Sequence, residues 1–106
     1  MTSARTAVAT LADFAASDAI AVHAGGREIA IYLVDGRVFA TDNRCSHGDA
    51  RLCDGFLEGH EIECPFHQGR FDVRTGAATC APAVVALQTY AVELDGDRVL
   101  LALPSP

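Results

Sequence analysis

Four side chains of this sequence stand in two short pairs, Cys45-Ser46-His47 and Cys64-Pro65-Phe66-His67, with sixteen residues between them. Each pair offers one thiolate and one imidazole. Brought together, they supply sulfur to one iron and nitrogen to another, the donor set of a [2Fe–2S] centre in which two histidines replace two cysteines. Cys45 and Cys64 are then expected to hold one iron, and His47 and His67 the other. A structural zinc site also takes two cysteines and two histidines, but it usually draws them as a Cys-x2–4-Cys half and a His-x3–5-His half. Here the residue types alternate, so zinc stands as an alternative rather than the leading reading, with chance placement behind it. Gly48 and Gly69 lie just past the histidines, where a glycine lets the backbone turn tightly and bring N–H donors towards inorganic sulfur.

The chain that must position these residues has 106 of them, enough for one domain with one modest core, so residues 1–106 are expected to form a single domain. Half the residues are hydrophobic, yet no apolar run nears the roughly eighteen needed to cross a bilayer. Met1-Thr2-Ser3-Ala4-Arg5 leads into no secretory apolar stretch. A cytoplasmic protein with no membrane partner is expected. The net charge of −6, from fourteen acidic residues against eight arginines, argues against nucleic acid as a partner. Asp42, Asp49, Asp54, Glu58, Glu61 and Glu63 crowd into the window around the ligand pairs, with only Arg44 and Arg51 against them. That window is either a solvated loop face or an acidic rim that steers the protein towards basic patches in a salt-sensitive way. Cys53 and Cys80 are read as free thiols rather than a bridge, in keeping with a reducing compartment.

Strand signals dominate. Residues 28–34 and 38–41 flank Asp35-Gly36-Arg37, and residues 87–94 and 98–103 flank Asp95-Gly96-Asp97, which predicts two hairpins with short glycine turns. Residues 6–9 and 19–23 predict further short strands, and residues 11–14 a single helical turn. Residues 55–63 read as a third hairpin with Glu58-Gly59-His60 at its tip, a device that brings Cys45 and Cys64 together at small entropic cost. The expectation is an all-β antiparallel sandwich or barrel with a small metal-bearing subdomain, roughly residues 43–82, inserted in it, and a loose tail at Pro104-Ser105-Pro106. Phe14, Tyr32, Phe39 and Tyr90 are read as core or half-core residues, and His23 and His60 as imidazoles outside the site. Arg70 and Arg74 are read as partner contacts or as side chains packed along strand surface.

The ligand pairs have the Rieske pattern, and the sequence resembles a Rieske-type ferredoxin. Asp54-Gly55-Phe56-Leu57-Glu58-Gly59, Cys64 to Val73, and Thr75-Gly76 resemble the ferredoxin components of bacterial aromatic ring-hydroxylating dioxygenase systems, those of the naphthalene type above all. The likeness implies the Rieske fold and one [2Fe–2S] cluster. It also implies a role in aromatic hydrocarbon catabolism, as a one-electron carrier between an NAD(P)H-dependent flavoprotein ferredoxin reductase and a terminal oxygenase. By the same likeness Ala81-Pro82-Ala83 is the loop that covers the cluster. The extra cysteine pair that braces the loops of high-potential relatives is missing, since Ala50 and Phe66 stand at those positions. Those relatives also place a serine and a tyrosine where this chain has Gly69 and Phe71, so their hydroxyl donors to sulfur are lost. A potential near the low end of the Rieske range, about −150 mV, is therefore expected.

The sequence carries no glycine-rich dinucleotide fingerprint and no separate two-histidine-one-carboxylate set, so electron transfer without catalysis is the expectation. A monomeric shuttle that forms transient complexes is the first reading. A small Rieske subunit held by a reductase such as nitrite reductase is the second, and a zinc-stabilised binding module the third.

Overall fold

A computed structural model describes residues 5–45, 50–66, 69–81 and 85–102. The expected ligands His47 and His67, the expected covering residue Pro82 and the expected tail lie outside the described residues. Among the described residues ten strands follow one another: β1 (Arg5–Thr10), β2 (Ala19–Ala24), β3 (Arg27–Val34), β4 (Arg37–Asp42), β5 (Phe56–Glu58), β6 (Glu61–Glu63), β7 (Arg70–Asp72), β8 (Ala78–Cys80), β9 (Thr89–Asp95) and β10 (Arg98–Ala102). Single 3₁₀ turns at Leu11–Phe14 and Leu52–Asp54 complete the set.

Two antiparallel sheets result. Six strands run in the order β1-β10-β9-β4-β3-β2, with the two edge strands β1 and β2 meeting to make a nearly closed barrel. The other four run β5-β6-β7-β8 and carry the segment expected to bear the site. Hairpin β3–β4 turns in two residues, Asp35 at φ 51° and Gly36 at φ 77°, the paired positive values that match the strand twist.

β3 explains how the two sheets are joined. Its run Ile29-Ala30-Ile31-Tyr32 is 0% exposed throughout, and successive side chains of a strand point to opposite faces. Ile29 and Ile31 join Phe14, Val38, Ala40, Tyr90, Val99 and Leu101 in one apolar cluster. Ala30, Tyr32 and Val34 join Cys45, Leu52, Ile62, Cys64, Phe71, Val73 and Leu87 in the other. One strand thus walls both cores, as its continuous apolar stretch requires. The Tyr32 hydroxyl, carried into the second core, is satisfied by the Thr41 hydroxyl at 2.9 Å.

The expected hairpins and the 3₁₀ turn at residues 11–14 are present, with three differences. β9 begins at Thr89, because Leu87 belongs to the connection and donates its N–H to the Gly76 carbonyl at 2.8 Å. β7 and β8 were not expected; each is only three residues long and is hemmed by turn-forming residues, too short for alternation to register. The third hairpin turns on Gly59 and His60 alone, since Glu58 pairs with Glu61.

Candidate metal centre

Cys45 follows the end of β4 by three residues, and Cys64 follows β6 directly. The two open loops of the same construction. Cys45 N–H donates to the Ala50 carbonyl at 2.9 Å and Cys64 N–H to the Gly69 carbonyl at 2.7 Å, each bond reaching five residues ahead. Beneath each bond lies one bridging pair, Arg44 with Arg51 in the first loop and Glu63 with Arg70 in the second. His47 and His67 belong to the spans that these bonds enclose.

Both cysteines are buried, at 2% and 0% exposure, in the apolar cluster walled by β3. A buried cysteine by itself behaves as a small apolar side chain. Two of them head matched loops and share one core cluster, and with a histidine in the sequence of each loop the donor set fits a mixed sulfur and nitrogen [2Fe–2S] centre. Among the described residues, no three His, Cys, Asp or Glu side chains gather into another metal-binding group.

The second loop rests on a true ladder. β6 and β7 pair through Glu61–Asp72, Ile62–Phe71 and Glu63–Arg70. The Arg70 guanidinium adds an ion pair to Glu63 at 3.0 Å and reaches Glu61 and Glu58 at 3.5 Å each. Arg70 is therefore engaged with three of the acids of the crowded window. Arg74 folds back on Asp72 at 2.9 Å, and its guanidinium holds the Asp72 carboxyl below the usual aspartate range.

Among the described residues the first loop has no such ladder, only the Arg44–Arg51 bridge. β4 ends at Asp42 and the return is the 3₁₀ turn Leu52–Asp54, so the closure is made by Asn43, whose exposure is 0%. Its carbonyl accepts from Leu52 N–H at 2.6 Å, its side-chain oxygen accepts from Cys53 N–H at 2.8 Å, and its amide donates to the Glu28 carboxylate at 3.0 Å. Glu28 is held in turn by Arg51 at 3.0 Å. The Asn43 amide, and after it the Arg51 guanidinium, hold the Glu28 carboxyl below its ordinary value. Sequence reading missed this knot: an asparagine two residues ahead of Cys45 carries no signal of its own, and Glu28 stands fifteen positions away from it.

Phe14, Tyr32 and Tyr90 are buried; Phe39 is half-buried and meets the His60 ring edge-on at 5.7 Å. His23 is exposed, 3.3 Å from Glu28. Cys53 and Cys80 are not joined; Cys53 lies against Asn43 and Cys80 is exposed on β8. Ala50 is in the core while Phe66 is exposed, so the two unbraced positions differ in surroundings as well as type. Three of the four large apolar side chains that are exposed among the described residues, Phe56, Phe66 and Val85, lie in or beside the cysteine-bearing segment.

Residues 4–91 match the family model of the Rieske [2Fe-2S] domain, and the chain belongs to that family. The family decides the donor-set question for iron and sulfide over zinc. The ferredoxin component of a naphthalene 1,2-dioxygenase system from Pseudomonas aeruginosa is 56% identical over 86 residues, spanning 81% of this chain and 83% of that one. The solved ferredoxin of carbazole 1,9a-dioxygenase from Nocardioides aromaticivorans IC177 is 40% identical and superposes with a TM-score of 0.88 over 94% of this chain and 98% of that one. A chain of a solved complex of reduced oxygenase and oxidized ferredoxin in carbazole 1,9a-dioxygenase is 34% identical, with a TM-score of 0.85 over 95% of this chain and 94% of that one.

Proposed function

We propose that this chain is the ferredoxin component of an aromatic-ring dioxygenase system. It takes single electrons from an NAD(P)H-dependent flavoprotein reductase and delivers them to a terminal oxygenase, and it is not itself a catalyst. The observation that carries the reading is the pair of matched loops headed by buried Cys45 and Cys64 in a chain whose relatives are named as dioxygenase ferredoxins. Cys45 and Cys64 ligate one iron, His47 and His67 the other. Their cluster supplies a one-electron couple that changes charge without breaking a bond.

The chain's own residues do the rest. Cys45 and Cys64 are withdrawn from water on the core side by Leu52, Ile62, Phe71 and Leu87. The Arg70 pairs and the Asn43 knot fix the two loop bases. Phe66 and Val85 offer apolar contact beside the cysteine loops, and the net charge of −6 favours a basic partner, a combination suited to brief, salt-sensitive encounters. Residues 1–106 act as one domain, with residues 43–82 as its cluster-bearing part; the core shared through β3 supports that view. The carrier is a cytoplasmic monomer that meets its reductase and oxygenase in turn, a reading supported by its acid excess. Relatives named as ferredoxin components favour this over a fixed subunit of a nitrite-reductase type.

Reconstitution tests it. The protein is mixed with a dioxygenase reductase, its oxygenase, NADH and an aromatic substrate, and substrate-dependent oxygen uptake is followed. Uptake that requires this protein and weakens as salt rises is expected; uptake unchanged by its omission, across the systems of the relatives, would count against the role.

A further inference from the structure

The two cysteine loops share a closing hydrogen bond but differ in what stands beneath it. Under Cys64 there are two strands, β6 and β7, in register. Under Cys45 there is one bridge, Arg44 with Arg51, and then a 3₁₀ turn that cannot continue a ladder. Asn43 occupies the place the ladder would take. With its backbone it binds Glu28 and Leu52, and with its side chain it binds Glu28 and Cys53. The incoming and outgoing arms of the loop are thereby tied to each other and to the start of β3.

The chemistry fixes the orientation of that side chain. Cys53 N–H is a donor and needs the amide oxygen; the Glu28 carboxylate is an acceptor and needs the amide nitrogen. No buried side-chain nitrogen or oxygen among the described residues is left without a partner, so the knot is fully satisfied. A satisfied buried polar network specifies one arrangement, and a broken one leaves each member exposed to the cost of desolvation.

We propose that Asn43 is the positioning residue of the first ligand loop: held by Glu28, it fixes where Cys45 stands relative to the second loop, and so governs how firmly and in what geometry the cluster is held. The inference rests on the ligand reading above and extends it to a residue that touches no iron. Its consequence is an asymmetry: beyond its closing bond and bridge, the base of the first loop is tied by a side chain, and that of the second by a strand pair.

An exchange of hydrogen-bonding polarity tests it. Asn43→Asp keeps the acceptor for Cys53 but sets a carboxylate against Glu28; adding Glu28→Gln restores a donor across the same contact, so the pair is bonded again with its direction reversed. Three holoproteins, wild type, Asn43→Asp and Asn43→Asp with Glu28→Gln, are compared by the rate at which chelator bleaches the visible absorbance and by the EPR spectrum of the reduced state. The single variant is expected to lose its cluster at least tenfold faster and to show an altered EPR line, and the double variant to return to within about threefold of wild type with the original line. A single variant that fails to assemble a cluster while the double variant assembles one gives the same answer. A single variant with wild-type lifetime and spectrum overturns the proposal, as does a double variant no better than the single one. Wild-type protein without iron and acid-labile sulfide overturns the ligand reading instead, so the two failures are distinct.

Discussion

Gly55 lies against the carbonyl of Glu63 so closely that a Cβ on it would come within 2.0 Å of that oxygen. Its φ of −86° is ordinary, so space and not backbone freedom demands glycine here. The contact seats the segment leaving the first cysteine loop on the residue that precedes Cys64.

Gly55→Ala is expected to cost about 1–3 kcal/mol, because backbone on both sides must move. Gly59→Ala, at a turn with φ 59° and open space around it, is the comparison and should cost about 1–2 kcal/mol through conformation alone. Only the first should also speed cluster loss. Denaturant unfolding together with chelator bleaching checks both; a Gly55→Ala protein with unchanged cluster lifetime would show that the two loops tolerate displacement.

The reduction potential should fall near the low end of the Rieske range, about −150 mV. Phe71 is fully buried in the same cluster as Cys45 and Cys64 and brings no hydroxyl to it, and Gly69 brings no side chain. Phe71→Tyr should raise the potential: a hydroxyl bond stronger by about 1.4 kcal/mol in the reduced state corresponds to about 59 mV for one electron. A redox titration of both proteins decides. A wild-type value above zero would contradict the expectation, as would a downward shift in the variant.

Acid should weaken the Asn43 knot through Glu28. Its carboxyl is held low by Asn43 and Arg51, so its contribution is fully present above the ordinary glutamate value of about 4.3 and is lost as pH falls through the lower folded value. Glu28→Gln removes that dependence. The stability difference between wild type and variant, from denaturant midpoints at a series of pH values, should shrink as pH drops from about 6 towards about 3; a constant difference would contradict it.

Much of the barrel was legible because its strands alternate or run apolar and its turns carry Asp-Gly pairs, as at Asp35-Gly36 and Asp95-Gly96. The Cys45/His47 and Cys64/His67 pairs stand out in the sequence because metal chemistry leaves residue types at short spacing. The supports of the loops were hidden for the opposite reason. Asn43, Glu28 and Arg51 act across β3 and the 3₁₀ turn at Leu52–Asp54, and no local pattern links them. β7 and β8 are three-residue strands whose partners, and not their own sequences, make them strands. Arg70 reads as a partner contact or a side chain packed along strand surface; the register that sets it opposite Glu63 also gathers Glu58 and Glu61 around it, which no local pattern announces.

The central claim is that Cys45 and Cys64, with His47 and His67, hold a diiron cluster. Replacing either cysteine by serine should abolish it and loosen residues 43–82, since thiolate ligation is part of what folds the loops. The most direct measurement is iron and acid-labile sulfide in protein produced anaerobically with ample iron. About two of each per chain are expected in the wild type, with loss of both in Cys45→Ser and Cys64→Ser. A wild-type protein without iron and sulfide, or a Cys45→Ser protein with an unchanged cluster spectrum, would contradict the account.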